Sequence, residues 1–567
     1  MFETRVADIL VIGGGGAGIR AAISAAELGQ KVILLSKGPL SRTGITPVAG
    51  EGVEGAVNEG DSPELHYEDT VKAGRGLADE NLVHALAQDS IARIHDLENY
   101  GAKFKKNPDG SFATSVRPGQ THSRNLFIIG GGYGLAASLF RKLCRLPNIL
   151  LIDDAIVTKL LFQDGKAAGA TYLDVRTGEV HVVSARSTIM AIGGYEELWP
   201  FTDTPPDTTG EGLAMAYQAG AHLIDLEMVL YYPGVVIYPP AARGWLVQYE
   251  YILNPDILDG RVLNGKGEVF IGGFPARDEF MRAVRDQVKQ GTASPHGGFY
   301  VDLTQSRYPR EVLTERLESW LHQFSNLKQV GIDLRDHKLE MAPAAHYCLG
   351  GIRIDEFGST DIEGLFAAGE VTGNVHGANR MSGNALSETQ VFGNRAAQKA
   401  CEYAAKAGVR PGSYEAEVLR EYKTINGWRA GKDKGVRPIE LKSGLQAVMD
   451  QYVGLERDER TLNHGLAEVR RLRREILPVL TVLPIRRFCY EVQEAYEVRG
   501  MLDLAQAVAL SALAREESRG SHFRTDFPKR DDARFLRHTL ILVDGDGMKL
   551  QYAPVRLGMF PVKEREY

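Results

Sequence analysis

Short apolar runs and an alanine-rich segment dominate the first 35 residues of the chain. The runs at 8–12 and 31–35 predict two buried strands, and the segment that ends near residue 29 predicts a helix between them. The stretch 13–18 reads Gly-Gly-Gly-Gly-Ala-Gly. Glycines at its first, third and sixth positions permit a tight turn, close approach of a pyrophosphate to the backbone and close helix–strand packing. This β-α-β unit favours a dinucleotide site over a coincidental glycine-rich turn.

The later periodicity predicts a large α/β protein that ends in helices. Residues 66–101 predict two helices, and residues 149–192 alternate as strands. A second glycine cluster at 130–134 lacks a β-α-β setting, and we expect it to form a loop near the cofactor. Beyond Pro411 the composition predicts a helical bundle, followed by a strand pair around 544–547. The bundle helices are expected at 414–425, 438–453, 458–477 and 488–519.

Composition and charge exclude several classes of function. The chain has 567 residues, is 44% hydrophobic and 25% charged, and carries a net charge of −7. This balance is ordinary for a globular protein and argues against nucleic-acid binding, for which a basic face is expected. No run of 18 or more apolar residues occurs, so we expect no membrane span. Because only seven residues precede the first strand, we expect no signal peptide and a cytoplasmic location, including the cytoplasmic face of a membrane reached through partner subunits.

The cysteines predict neither a disulfide framework nor a metal site. Cys144, Cys348, Cys401 and Cys489 lie far apart, without a Cys-x-x-Cys pair. That spacing fits a reducing compartment and argues against an iron–sulfur cluster held by this chain alone. We predict no metal ligands in the chain.

Residues 342–388 are the most distinctive stretch of the sequence. Three pieces follow one another: His-Tyr-Cys-Leu-Gly-Gly from His346, Leu-Phe-Ala-Ala-Gly-Glu ending at Glu370, and His-Gly-Ala-Asn-Arg ending at Arg380. The second piece predicts a short buried strand at 365–368. Glycines this dense around a histidine, a glutamate and an arginine suit a polar site built on turns. The glycines alone fit a surface loop equally well.

In this order the three pieces resemble the flavoprotein subunits of succinate dehydrogenase and fumarate reductase, a group that includes L-aspartate oxidase. The resemblance implies an α/β fold, with a Rossmann-like FAD-binding domain, an inserted α+β capping domain and a C-terminal helical bundle. The final residues 560–567 are similar to the tail of subunits that dock on an iron–sulfur protein. The implied domains are 1–228 and 342–408 for the FAD-binding domain, 229–341 for the capping domain, 409–520 for the helical domain, and 521–567 for a C-terminal domain or tail.

The resemblance also implies FAD as the cofactor, held without a covalent bond. Succinate dehydrogenases carry a histidine that bonds to the flavin, whereas Gly44 and Ile45 occupy that neighbourhood here. Glu211 stands where the family commonly has an aspartate. The residues expected to contact FAD are Gly13, Gly15, Gly16, Ala17, Gly18, Ser36, Lys37, Gly38, Thr43, Gly44, Thr46, Ala49, Gly50, Gly52, Ala155, Val157, Gly193, Glu211, Tyr347, Glu370, Arg380, Ala385 and Leu386.

The same resemblance assigns the catalytic groups. Reduction of a double bond beside a carboxylate builds negative charge on that carboxylate, which an arginine fork can bind bidentately. His346 and Arg380 are expected to form this clamp, and Arg277 is expected to deliver the proton. From spacing alone, the Arg277–Asp278 pair that opens a predicted helix is more often a solvated helix cap.

The region 230–260 departs from the family pattern. Tyr232 replaces a histidine that is expected to hold the far carboxylate of the substrate. No clear Thr-Glu pair follows it, and Glu250 is the possible stand-in. One carboxylate anchor is therefore retained, and the other is altered.

These features predict a subunit that reduces fumarate or a related unsaturated carboxylate, or in reverse oxidises a succinate-like acid. Its electrons would be exchanged with an iron–sulfur subunit of a larger complex. Two alternatives stay open: a stand-alone L-aspartate oxidase, and an FAD-containing electron-transfer subunit that has lost its substrate chemistry.

Overall fold

The computed structural model of the chain describes residues 2–50, 52–273, 275, 277–321, 323–408, 412–431, 434–545 and 547–558. The strands in chain order are β1 (Thr4–Ile12), β2 (Val32–Leu35), β3 (Val53–Glu54), β4 (Thr114–Ser115), β5 (Asn125–Leu126), β6 (Ile149–Ile152), β7 (Ala155–Gln163), β8 (Lys166–Asp174), β9 (Glu179–Met190), β10 (Leu223–Ile224), β11 (Val229–Tyr238), β12 (Arg261–Leu263), β13 (Val269–Ile271), β14 (Phe299–Asp302), β15 (Leu339–Cys348), β16 (Gly351–Ile352), β17 (Leu365–Ala367), β18 (Arg537–Asp544) and β19 (Gly547–Pro554). The helices are α1 (Gly16–Glu27), α2 (Pro63–Ala73), α3 (Glu80–Asn99), α4 (Gly131–Leu143), α5 (Glu211–Gln218), α6 (Tyr249–Leu253), α7 (Arg277–Lys289), α8 (Arg310–Trp320), α9 (Phe324–Gln329), α10 (Asn384–Lys406), α11 (Glu415–Arg429), α12 (Pro438–Tyr452), α13 (Glu459–Arg471), α14 (Tyr490–Ala514) and α15 (Asp532–Phe535).

The first sheet has the order β6-β2-β1-β9-β8-β7, with β17 also paired to β9. Strand β1 is parallel to both β2 and β9, and its last four residues are buried. Apolar strands that are covered on both faces are typical of such parallel sheets, which explains the uninterrupted apolar runs. Because β1, β2, β9 and β17 end at the same edge, the turns that follow them meet there and form the cofactor cleft.

The second sheet belongs to the cap and has the order β11-β15-β14-β12-β13. Strands β11 and β15 are antiparallel neighbours, with Tyr232 opposite Ala344. This register brings Tyr232 beside His346, and their ring centroids lie 4.9 Å apart. Strand β15 runs across the boundary expected between 341 and 342, so the cap sheet continues as far as Cys348.

The glycine cluster at 130–134 is not the loop that its composition suggested. Gly130 has φ 85° and caps helix α4, which begins at Gly131. A Cβ at Gly132 would lie 2.0 Å from the carbonyl oxygen of Thr46. The prediction was wrong because close packing of this helix on the backbone of residues 46–49 outweighs the low helix propensity of glycine.

The C-terminal part contains helices α11–α14 and the sheet β16-β10-β18-β19. Helix α14 ends at Ala514 rather than near residue 519. The predicted end of the preceding helix near 477 is confirmed, because α13 continues beyond Arg471 as a π-helical turn over Leu472–Ile476. The predicted docking tail at 560–567 lies outside the described residues. Within the described ranges, no helix combines the length and apolarity needed to cross a bilayer.

Candidate functional site

The glycine-rich turn after β1 forms the floor of a cleft of about 990 Å³. A Cβ at Gly13 would lie 2.1 Å from the carbonyl oxygen of Ala191, and a Cβ at Gly18 would lie 1.9 Å from that of Gly13. Gly15 instead borders the cleft, where the nearest atom to an added Cβ is 3.9 Å away. The N-cap residue of helix α1, Gly15, has no side chain, and the hydroxyl of Thr46, which also borders the cleft, accepts from the Gly16 N–H at 3.0 Å. Backbone N–H groups at such a terminus suit a pyrophosphate, so this turn fits a dinucleotide.

An ion-pair cluster closes the far side of the cleft. The Lys37 ammonium lies 2.8 Å from Glu211 and 2.9 Å from Glu497, and it donates to the carbonyl oxygen of Asp207 at 2.7 Å. Burial lowers the pKa of Lys37, but the two carboxylates outweigh burial and raise it above its ordinary value. Lys37 therefore stays charged and ties the end of β2 to the start of helix α5.

Most of the predicted FAD contacts border either this cleft or a second cavity next to it. Gly18 and Gly38 border neither: Gly18 packs α1 on the turn, and a Cβ at Gly38 would meet the side chain of Thr43. Those on the cleft are Gly13, Gly15, Gly16, Ala17, Ser36, Lys37, Thr43, Gly44, Thr46, Ala155, Val157, Gly193, Glu211 and Glu370. Those on the second cavity are Thr46, Ala49, Gly50, Gly52, Tyr347, Glu370, Arg380, Ala385 and Leu386.

The second cavity, of about 820 Å³, lies between the first sheet and the cap. The two cavities adjoin at residues that border both, namely Ile45, Thr46, Glu370 and Thr389. Of the predicted catalytic residues, Tyr232, Arg277, His346 and Arg380 line it, and Glu250 lies directly behind them. Side chains from four separate parts of the chain thus converge on one space.

A hydrogen-bonded chain crosses the wall of this cavity. Arg380 lies 3.1 Å from His346 Nε2, and His346 Nδ1 lies 2.8 Å from the buried carboxylate of Asp203. Because a guanidinium only donates, His346 Nε2 accepts, and the ring proton sits on Nδ1 and points at Asp203. The Arg380 guanidinium also lies over the ring of Tyr347, 4.4 Å from the ring centroid.

The opposite wall carries a second group of contacts. Tyr232 donates a short hydrogen bond to Glu250, and Arg277 Nη2 approaches the other oxygen of that carboxylate at 3.4 Å. Arg277 also donates to Ser382 at 3.1 Å, and its guanidinium lies 4.9 Å from the ring centroid of Tyr232. Arg277 is only 5% exposed, so it is not the solvated helix cap that spacing alone favours.

Two glutamates, the buried Glu196 and the partly exposed Glu370, form a third group beside the cleft. The backbone N–H of Cys348 lies 3.1 Å from an oxygen of Glu196 and 3.1 Å from an oxygen of Glu370. Burial raises the pKa of both carboxyls, and the charge of Glu196 raises that of Glu370 further. Carboxyl oxygens of the two residues lie within 4.8 Å of each other and do not both ionise readily, which favours the protonated form of one of them.

Sequence reasoning missed three functional neighbours: Asp203, Glu196 and Ser382. Asp203 lies in a polar turn 143 residues before its partner His346. Glu196 directly follows the Gly-Gly-Tyr turn after β9 and is itself followed by Glu197, so its charge alone did not distinguish it. Ser382 lies in the same glycine-rich stretch as Arg380, but its contact with Arg277 depends on how the cap is placed.

Comparison with known proteins supports this interpretation of the cleft and the cavity. The family described as "FAD binding domain" matches residues 8–386, and the family described as "Fumarate reductase flavoprotein C-term" matches residues 442–567. The FAD prediction is therefore confirmed at the level of the family, and the glycine turn and cleft fit that cofactor.

Relatives and solved structures match this chain along nearly its whole length. The chain is 38% identical over 537 residues to a subunit of the fumarate reductase (CoM/CoB) of Methanothermobacter marburgensis, a match that covers 93% of this chain and 95% of that protein. It is 32% identical to the fumarate reductase flavoprotein subunit of Mycobacterium tuberculosis, over 99% of each. A quinol-fumarate reductase structure matches with a TM-score of 0.90 at 28% identity, over 99% of this chain and 100% of that one. The predicted α/β fold with a C-terminal helical domain is confirmed, and the chain belongs to the family of FAD-dependent flavoprotein subunits of fumarate reductases and succinate dehydrogenases, oxidoreductases that act on CH–CH groups.

Proposed function

We propose that this chain reduces fumarate or a closely related unsaturated carboxylate and receives its electrons from an iron–sulfur subunit. The observation that carries the proposal is the convergence of Arg380, His346 and Arg277 on a cavity that adjoins the FAD cleft. The two relatives described above are fumarate reductase subunits, which supports the same substrate class.

Residues 13–17, Lys37 and Glu211 would hold the FAD, and bound FAD supplies the hydride. Among the described residues that line the cleft there is no histidine, and Gly44 and Ile45 occupy the segment where the family attaches its flavin. We therefore propose that the cofactor is bound without a covalent bond.

The carboxylate on which charge develops would be held by Arg380. A guanidinium fork matches a carboxylate in plane and charge, and it acts most strongly in a site from which water is excluded. His346 keeps the arginine in place, because its neutral ring accepts from Arg380 while Asp203 fixes the tautomer. Asp203 is thus a positioning residue of this clamp.

Arg277 would deliver the proton to the second carbon of the double bond. An arginine seldom gives up a proton, so this role depends on the family resemblance of the Arg277–Asp278 pair. The structure adds a neighbour that can return the proton, because Glu250 lies 3.4 Å from Arg277 Nη2.

Tyr232 would change how the far end of the substrate is held. Its hydroxyl already donates to Glu250, and its ring lies against His346. A second carboxylate therefore meets a neutral phenol there instead of the family's histidine. We therefore expect the second carboxylate of the substrate to contribute less to binding here than at a site that anchors both carboxylates.

The iron–sulfur partner is supported by two features of the chain. Its cysteines are dispersed and show no cluster-binding spacing, and the match of residues 442–567 to the fumarate reductase flavoprotein C-terminus extends into the region expected to dock on a partner. A native mass spectrum of the complex purified from its source organism should contain a second chain with cysteine-bound iron.

The decisive experiment is anaerobic reoxidation of the dithionite-reduced holoprotein by a panel of enoates. We expect fumarate to restore the oxidised flavin spectrum fastest, with monocarboxylic enoates such as crotonate following. Arg380→Lys keeps the charge but loses the fork, and it should slow reoxidation at least about tenfold, as expected for a weakened transition-state contact. Arg353→Lys, a partly exposed site outside both cavities, serves as the matched control.

Two outcomes would contradict the proposal. Reoxidation by no enoate would favour an electron-transfer subunit without substrate chemistry. Release of hydrogen peroxide from L-aspartate, without enoate reduction, would favour a stand-alone oxidase.

A further inference from the structure

A third cavity, of about 1250 Å³, lies away from the cofactor cleft, between helix α7 of the cap and residues 518–530. Leu230 and Tyr231 of strand β11 form part of its wall. Its volume exceeds that of the cofactor cleft, which is about 990 Å³. The space therefore accommodates a small organic molecule.

The lining of this cavity is strongly basic. Its cationic side chains are Arg282, Arg285, Arg519, Lys529 and Arg530, and none of the described residues that line it is acidic. Arg285, Arg519 and Arg530 pair with carboxylates that lie outside the lining, namely Asp286, Glu456, Glu517 and Asp532. His522 also lines the cavity, but burial and the nearby Arg457 and Arg515 lower its pKa well below the ordinary value, so it adds no charge. The charge that faces the cavity is therefore positive.

Apolar surface stands next to these cations. Met281 and Phe523 line the cavity, and the Arg285 guanidinium lies 3.9 Å from the ring centroid of Phe523. Nε and Nη2 of Arg285 contact Asp286 and Glu456, so an anion in the cavity would approach the remaining nitrogen, Nη1. The site thus offers an apolar wall and a fixed cation side by side.

A buried hydroxyl gives an independent indication of a ligand. Tyr231 is 8% exposed, and its hydroxyl has no hydrogen-bond partner among the described residues. Ser521, which also lines the cavity, has a buried hydroxyl that likewise lacks a hydrogen-bond partner among the described residues. Buried polar groups are nearly always satisfied, and a polar group of a ligand in this cavity can satisfy both hydroxyls.

From these observations we propose that the third cavity binds a small organic anion, with an apolar body against Met281 and Phe523 and its acidic group facing the arginines. Met281, Arg282 and Arg285 lie within about one turn of each other on α7, so one ligand can contact all three. The ligand would bridge the cap to the C-terminal segment. Arg277 begins the same helix about two turns before Arg285, and Tyr232 follows Tyr231 on the same strand. The site is separate from the substrate cavity and does not depend on the reaction proposed above.

The test uses 8-anilinonaphthalene-1-sulfonate, an aromatic sulfonate, titrated into the FAD-loaded full chain by calorimetry. We expect one saturable site per chain. Arg285→Gln and Lys529→Glu should each weaken binding at least about tenfold, and the neutral 1-naphthol should bind at least about tenfold more weakly than the sulfonate. Lys529 is exposed, so its substitution leaves the fold intact even if Arg285→Gln lowers stability.

Two controls separate this site from other binding. Arg316→Gln is matched to Arg285→Gln, because Arg316 also belongs to a cap helix and lies 3.9 Å from an aromatic centroid, that of Tyr308. Arg380→Gln alters the substrate cavity instead. Both should bind the probe as the unaltered protein does. Unchanged affinity in Arg285→Gln and Lys529→Glu, loss of binding in Arg380→Gln, or the absence of a saturable site would each overturn the proposal.

Discussion

Removal of Arg277 should separate its structural contribution from its chemical one. The guanidinium is 5% exposed and contacts Glu250, which is 1% exposed, at 3.4 Å. Arg277→Gln would leave that carboxylate with Tyr232 as its remaining donor among the contacts described above. Breaking a buried ion pair typically costs about 3–5 kcal/mol, and since Tyr232 remains we expect about 3 kcal/mol here.

Arg277→Gln should also lose turnover, for a reason that is independent of this loss of stability. Removal of an acid catalyst costs about 10²-fold or more, which corresponds to at least ~2.7 kcal/mol of activation free energy. The double variant Arg277→Gln/Glu250→Gln removes the uncompensated charge as well. We expect it to recover most of the lost stability while its turnover stays at least ~10²-fold below that of the unaltered protein.

The assay compares thermal unfolding midpoints and enoate-dependent flavin reoxidation for Arg277→Gln, Glu250→Gln and the double variant. Each protein must first be shown to carry a full complement of FAD from its visible spectrum. Normal turnover in fully loaded Arg277→Gln would remove the arginine from the mechanism. Turnover restored in the double variant would show that Arg277 serves only to balance the charge of Glu250.

Three further predictions concern other parts of the site. The FAD should leave acid-precipitated protein as free cofactor in the supernatant, because Gly44 and Ile45 replace the attachment histidine; yellow pellets would contradict this. Asp203→Asn should lower turnover about 10²-fold or more with FAD retained, since His346 loses the partner that sets its tautomer, and a fully active variant would exclude that role. Burial raises the pKa of Glu196 and Glu370 in the folded protein. The stability that their protonated forms contribute is fully present below the ordinary carboxyl pKa, and it is lost as the pH rises through the raised pKa. Glu196→Gln should therefore unfold at a higher temperature than the unaltered protein at about pH 8, with a smaller difference at about pH 5; equal differences at both pH values would refute the shared-proton account.

Features whose causes are local could be read from the sequence alone. The β-α-β turn was readable because its constraints lie within about 30 residues: apolar strands, and glycines at positions 13 and 18 where a Cβ would meet a carbonyl oxygen. The pieces around His346, Glu370 and Arg380 were readable for the same reason, since each is a short turn or strand with its functional residue inside it. Most of the predicted FAD contacts border the cleft or the adjoining cavity on this basis.

Which distant residues act together depends on how separate segments pack. The antiparallel register of β11 and β15 brings Tyr232 beside His346, which is 114 positions away (346 − 232), and the turn after β9 brings Asp203 to the same histidine. No local pattern encodes such pairings, because they depend on how strands from separate parts of the chain align. The same limit applies to the glycines at 130–134, whose helix forms because it packs closely against residues 46–49. Local sequence sets what each segment can form, while packing between segments selects the partners of each buried polar group.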